Sequence, residues 1–143
     1  MKKHSVVTVA LAGLLVVLGA SQAQGLGGST LKADIPFEFS AGDAALRAGE
    51  YTIQRASGTS QYVIHLRAEE RTGSALLFGN STWHANAPRQ SALVFNKYGD
   101  RYFLSEIRVE GMQGGWQFPR SRSERELTKQ ASRFETVTVL ARR

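Results

Sequence analysis

The chain has 143 residues, a formal net charge of +6 and no cysteine. The absence of cysteine excludes a disulfide scaffold, a thiolate zinc site, a cysteine nucleophile and an iron–sulfur cluster. The length predicts a single domain with a modest hydrophobic core.

The amino terminus has the pattern of a secretory signal peptide. Two lysines precede an uncharged, largely apolar run over residues 6–20, and Ser21 and Ala23 form a small-x-small cleavage site. A membrane anchor normally needs about 20 apolar residues, more than this run provides. We therefore expect cleavage after Ala23 and export to the periplasm or the medium, without a membrane span. The mature chain then comprises a flexible lead-in over residues 24–30 and one β-rich domain over residues 31–143.

Alternation of apolar side chains with other side chains dominates the mature chain. Such a period of two, interrupted by Gly, Asn, Ser and Pro, is typical of strands. We predict an all-β fold, an antiparallel β-sandwich or a small barrel of about seven strands. The predicted strands are 31–39, 50–56, 61–67, 74–79, 91–97, 101–109 and 136–141.

The Gly-Asp pair at residues 99–100 predicts a tight hairpin, because it lies between two of the apolar runs. A two-residue loop places Phe95 opposite Leu104 and Lys97 opposite Tyr102. Both faces of this hairpin carry apolar side chains, which favours a central position in the sheet.

One short helix is predicted at about 122–132, before the last strand. Ser121 and the glutamate three residues later have the spacing of a capping box. Leu127, Ala131 and Phe134 then form a narrow apolar stripe, by which we expect the helix to dock.

Four segments resemble a known protein family. They are residues 33–39 and 46–51, and further along the chain 93–104 and 119–127. Together they look like a family of small exported proteins of unknown function that are common in soil bacteria. The resemblance implies a β-rich exported domain without an established activity, so it carries over no functional residue.

The sequence contains no recognisable catalytic or metal-binding motif. His65 and His84 are the only histidines after the predicted signal peptide, and a zinc site needs three or four ligands. The chain lacks a G-x-S-x-G turn, a phosphate-binding loop and a G-x-G-x-x-G pattern. We therefore predict no catalytic residue, no metal and no cofactor.

The excess of positive charge lies at the carboxy end. Residues 120–143 hold seven basic and three acidic side chains. Such asymmetry can mark a surface for an anionic envelope lipid or polysaccharide, and the alternative is a solvated helix face. Export argues against nucleic acid as a partner.

The two tryptophans are the other candidate binding residues. Tryptophans can stack on sugars, although they more often close a β core. The candidate ligand surface comprises Arg120, Arg122, Arg125, Arg133, Trp83 and Trp116.

Three hypotheses of function follow. The first is an exported non-enzymatic domain with a structural or interaction role in the cell envelope. The second is a module that binds carbohydrate or another anionic envelope component, for which an exposed tryptophan would be evidence. The third is a hydrolase of unrecognised type, which a deep pocket with converging carboxylates or histidine would favour.

Overall fold

The computed structural model describes residues 30–56, 62–131 and 133–143. The predicted signal peptide and nearly all of the predicted lead-in lie outside these residues. The described chain forms eleven strands and one helix. They are β1 (Leu31–Ile35), β2 (Phe39–Ala41), β3 (Ala44–Leu46), β4 (Gly49–Arg55), β5 (Val63–Ala68), β6 (Ser74–Phe78), β7 (Asn80–Trp83), β8 (Ser91–Tyr98), β9 (Arg101–Arg108), β10 (Gly114–Gln117), α1 (Arg122–Gln130) and β11 (Glu135–Arg142).

The strands join one sheet that curls into a nearly closed barrel. Its hydrogen-bonded order is β3-β2-β9-β8-β11-β1-β4-β5-β6, and the β7–β10 pair attaches to β9. The fold is therefore all-β with one helix before the last strand, as predicted. Of the two predicted architectures, a sandwich or a small barrel, it resembles the barrel. All pairs are antiparallel except β2 with β9, which run parallel.

The predicted hairpin is confirmed. Phe95 pairs with Leu104 and Lys97 pairs with Tyr102, and a bulge follows between Val94 and Phe95. β8 lies between β9 and β11, so both of its edges are paired, and residues 91–95 are all buried. The central position follows from apolar side chains on both faces of the strand.

Four short strands, β2, β3, β7 and β10, are new relative to the sequence prediction. The predicted strand 31–39 ends early at Ile35, just before Pro36, and β2 begins at Phe39. The Asn-Ser-Thr stretch at residues 80–82 fits a turn by composition but belongs to β7. Trp116, preceded by two glycines and followed within three residues by Pro119, lies in β10, where it pairs with Ser81. Each of these strands has three or four residues, too few for a period of two to be evident.

The barrel closes through a bend between β6 and β7. β6 pairs with β5 and β7 pairs with β10, so one nearly continuous stretch joins the two sides of the sheet. Gly79 forms the bend, and a Cβ there would lie 3.0 Å from the ring of Phe118. β6 and β3 remain the two ends of the ladder, and no strand pairing joins them among the described residues. β6 therefore keeps one free edge.

Helix α1 begins as predicted but is held differently. The Ser121 side chain accepts a hydrogen bond from the backbone N–H of Glu124, at 3.2 Å. The expected docking stripe is wrong, because Leu127 and Ala131 are only half-buried and Phe134 is exposed. The buried residue of the helix is Glu124, whose carboxylate turns into the protein. No helix of the described ranges is long and apolar enough to cross a membrane.

Candidate functional site: the arginine cleft

A cleft of about 550 Å³ lies along the edge of β6 that pairs with no other strand among the described residues. Three parts of the chain form its walls: the turn between β2 and β3 (residues 41–44), strand β6, and residues 118–125 at the start of α1. We call it the arginine cleft, because Arg120, Arg122 and Arg125 line it.

One wall of the arginine cleft is apolar. Leu76 and Phe78 are 60% and 71% exposed, whereas the alternate residues Ala75 and Leu77 point into the barrel and are buried. All five residues of β6 line the cleft. Successive side chains of a strand point to opposite faces of the sheet. Because the cleft is lined by consecutive residues of β6, it runs along the edge of this strand.

The opposite wall is cationic. Among the described lining residues, three arginines face a single acidic side chain, Asp43. The guanidinium of Arg120 stacks over the ring of Phe134, and Arg125 donates to the backbone oxygen of Arg120 at 2.7 Å. The side chain of Arg122 forms no hydrogen bond or ion pair with the described part of the chain. The cleft therefore has two arginines held by local contacts and one available to a partner.

A buried carboxylate fixes the position of this wall. Oε1 of Glu124 accepts hydrogen bonds from Asn96 Nδ2 at 2.9 Å and from the Tyr98 hydroxyl at 3.1 Å. Burial raises the pKa of Tyr98, and the charge of Glu124 and its hydrogen bond raise this pKa further. We call these three residues the Glu124 latch. It ties the first turn of α1, and with it the arginines, to the end of β8.

The six residues predicted as one ligand surface do not form one surface. Arg133 lies apart from the arginine cleft, in a separate pocket of about 280 Å³ beside Lys97 and the β8–β9 turn. Trp83 is 73% exposed on β7 and is not part of the core. Trp116 is half-buried and packs against the core, with the guanidinium of Arg55 at 5.7 Å from its ring. The structure brings together Arg120, Arg122 and Arg125.

Sequence reasoning missed the apolar wall and Asp43. Leu76 and Phe78 belong to a predicted strand, and their alternation with Ala75 and Leu77 is compatible with one exposed face. What the sequence lacks is the position of β6 at the end of the ladder, which leaves the exposed face beside the arginines.

The arrangement most like a catalytic site lies elsewhere, at His84. Its Nε2 atom is 2.5 Å from Glu106 Oε1, and the same carboxylate accepts two hydrogen bonds from Arg108, at 3.1 and 3.0 Å. The backbone N–H of His84 also donates to Gln113, at 2.8 Å. These contacts tie the residue after β7 to β9 and to the residue before β10. Within the described ranges, no group of three or more His, Asp or Glu side chains could hold a metal ion.

Comparisons of the chain with protein-family models, curated proteins and solved structures find no match.

Proposed function

We propose that this protein is an exported, non-enzymatic interaction domain of the cell envelope that binds an anionic partner in the arginine cleft. The observation that carries this proposal is the convergence of Arg120, Arg122 and Arg125 on one concavity that contains a single carboxylate. Arginine is suited to such a role, because its planar guanidinium binds carboxylate and phosphate groups through two parallel hydrogen bonds.

Two further features support binding over simple solvation of a helix face. The cleft volume lies within the range of about 300–1,000 Å³ that is typical of ligand sites. Its apolar wall leaves the side chains of Leu76 and Phe78 in water, and adjoining exposed apolar side chains often mark interaction sites. A merely solvating arginine face would not need an apolar wall opposite it.

Export is the part of the proposal that the amino-terminal pattern supports. Intact-mass analysis of the protein recovered from outside the cytoplasm is expected to give a mature chain that begins at Gln24. Replacing Ala23 by a bulky residue such as Phe should block processing and leave the precursor in the membrane fraction. Recovery of full-length chain with Met1 from the exported fraction would contradict the signal-peptide interpretation.

Binding is tested with three anionic probes: phosphatidylglycerol vesicles, polygalacturonate and polyglutamate. At least one should bind, and binding should weaken as salt is added, since exposed charges are screened beyond about 10 Å at 0.1 M ionic strength. The double variant Arg122→Gln/Arg125→Gln should weaken binding by about tenfold or more, because a hydrogen bond to a charged group contributes about 1.5–3 kcal/mol. Its thermal stability should barely change, because exposed charges contribute about 0–1 kcal/mol.

The matched control is Arg142→Gln/Arg143→Gln. It removes the same charge from the same basic segment, but neither residue lines the arginine cleft. Arg142 instead pairs with Glu50, and Arg143 donates to the backbone oxygen of Glu110. If both double variants lose the same amount of probe binding, the effect is one of net charge and not of the arginine cleft. If no probe shows salt-sensitive binding, the protein has a structural role and no anionic partner in the cleft.

The exposure of Trp83 supports a second candidate, carbohydrate binding by ring stacking. In that case polygalacturonate is the probe that binds, Trp83→Ala abolishes its binding, and the Arg122/Arg125 double variant retains it.

A further inference from the structure

We infer that the anionic partner enters the arginine cleft as a short extended peptide segment, acidic and partly apolar, which adds a strand to the free edge of β6. This inference rests on the proposed function and specifies the chemical class of the partner. Strand addition is a common mode of peptide recognition, in which main-chain hydrogen bonds give affinity and alternate side chains give specificity.

The hydrogen-bond alternation of β6 shows which of its backbone groups face the cleft. The N–H of Gly79 donates to Tyr62 at 2.8 Å, and the carbonyl of Gly73 accepts from Ala68 at 2.9 Å. In an antiparallel ladder, residues that bond the neighbouring strand alternate with residues that point away from it. The odd-numbered residues of β6 therefore bond β5, and the N–H and C=O groups of Leu76 and Phe78 point to the free edge.

The neighbouring segments leave the middle of this edge open. At one end β3 approaches, since a Cβ on Gly73 would lie 2.9 Å from Leu46 Cδ2. At the other end the chain after β10 reaches Pro119, which has no N–H to donate, and turns into α1. The stretch from Leu76 to Phe78 remains open, and it lines the cleft.

Backbone groups of this kind distinguish a peptide from a lipid. N–H and C=O groups at a spacing of two residues are matched by another extended backbone, whereas an acyl chain has no groups to pair with them. An added strand would place alternate side chains beside Leu76 and Phe78, where apolar residues pack well. Acidic side chains at the remaining or flanking positions would reach the arginines.

Charge argues against a second copy of this chain as the occupant. Arg120 is paired with Glu124 at 3.9 Å, so pairing two β6 edges would bring two sets of Arg122 and Arg125 together, against the two Asp43 carboxylates among the described lining residues. Like charges at close range repel, so the favoured segment is acidic.

The experiment uses a pool of nonapeptides with Val, Ile or Phe at alternate positions and Asp or Glu between them. A matched pool carries Lys or Arg in place of the acids. Fluorescence anisotropy should show the acidic pool binding the mature protein at least about tenfold more tightly than the basic pool. A tenfold difference in affinity is what one hydrogen bond between an arginine and a carboxylate can supply. Equal binding of the two pools, or no binding of the acidic pool, would overturn the inference.

The role of the backbone is isolated by Leu76→Pro and its control, Leu76→Val. Proline removes the N–H that faces the free edge and leaves the bonds to β5, so an edge strand can accommodate it. Leu76→Pro should weaken binding of the acidic pool by about tenfold, whereas Leu76→Val keeps both the N–H and an apolar side chain and should bind like the parent. Circular dichroism checks that both variants fold.

A second measurement uses the unaltered protein, in case Leu76→Pro does not fold. The acidic pool is N-methylated at all odd or at all even amides, which blocks one edge of an extended peptide or the other. One methylated pool should lose binding and the other should retain it. If both methylated pools bind like the unmodified pool, strand addition is wrong.

The vesicle probe distinguishes a lipid from a peptide. If phosphatidylglycerol vesicles bind, and the Arg122/Arg125 variant loses this binding while the Leu76 variants keep it, the cleft binds a lipid headgroup. If no anionic probe binds, the proposed function itself fails.

Discussion

Replacing Phe95 by alanine is expected to lower the free energy of unfolding by about 3–5 kcal/mol. Phe95 is fully buried on the central strand β8, and the rings of Phe37 and Phe39 meet its ring edge-on, with centroids 5.2 and 5.5 Å away. The surrounding strands are hydrogen-bonded on both sides, so the cavity left by the ring can collapse only in part. Urea unfolding of the mature protein, followed by circular dichroism, measures the loss.

Phe78→Ala is the matched control for this prediction. It removes the same side chain, but from the exposed face of the edge strand β6, where Phe78 is 71% exposed. Its expected effect is within about 0.5 kcal/mol, as for most surface substitutions. A loss at position 78 as large as that at position 95 would mean that the barrel core is not arranged as described.

Replacing Glu124 by alanine is expected to lower the free energy of unfolding by about 2–4 kcal/mol. The change removes the carboxylate at the centre of the Glu124 latch and leaves Asn96 Nδ2 and the Tyr98 hydroxyl without their acceptor. Unsatisfied groups at a buried position cost more than the net value of the hydrogen bonds they made. Thermal and urea unfolding should both show this effect.

The control is Glu126→Ala, two residues further along α1. Glu126 forms an exposed pair with Lys129 at 3.0 Å, so its loss should cost about 0–0.5 kcal/mol. The latch also makes a prediction for binding, because Glu124→Ala frees the first turn of α1 and should weaken the binding of anionic probes. If Glu124→Ala is no more destabilising than Glu126→Ala, the latch does not hold the helix.

Two almost identical stretches show what the sequence could and could not predict. Ser-Ala-Leu-Leu-Phe over residues 74–78 and Ser-Ala-Leu-Val-Phe over residues 91–95 are both strands, as their composition predicts. The second stretch is buried throughout, whereas the first alternates between buried and exposed residues. The difference lies in the alternate residues, because Ala92 and Val94 of β8 are buried, whereas Leu76 and Phe78 of β6 are exposed. Burial of this kind depends on contacts that are distant in sequence, which local pattern does not contain.

The helix illustrates the same limit. Local sequence predicts its start at Ser121, because capping involves residues that are three apart. It does not predict how the helix is held, since the acceptor in Glu124 and the donors in Asn96 and Tyr98 are separated by 26 to 28 residues. The apolar stripe at Leu127 was the more obvious anchor, but the buried carboxylate forms the actual one.

The charge pattern located the arginines of the site but not its limits. Clustering in residues 120–143 indicated a cationic surface, and three of its arginines do meet in the arginine cleft. Arg133 lies near the β8–β9 turn, and Arg142 lies on β11 opposite Lys32. Their separation from the cleft follows from the path of the chain after α1, which composition does not specify.

The most direct test of the account is a map of amide chemical-shift changes in ¹⁵N-labelled mature protein titrated with polyglutamate. A partner in the arginine cleft should cause salt-sensitive changes at Leu76 and Phe78 and over residues 120–125, and the Arg122→Gln/Arg125→Gln variant should need a polyglutamate concentration about tenfold higher, or more, for the same changes. Changes confined to the surroundings of Trp83 or Arg142, or no change with any of polyglutamate, polygalacturonate and phosphatidylglycerol, would contradict the placement of an anionic partner in the arginine cleft.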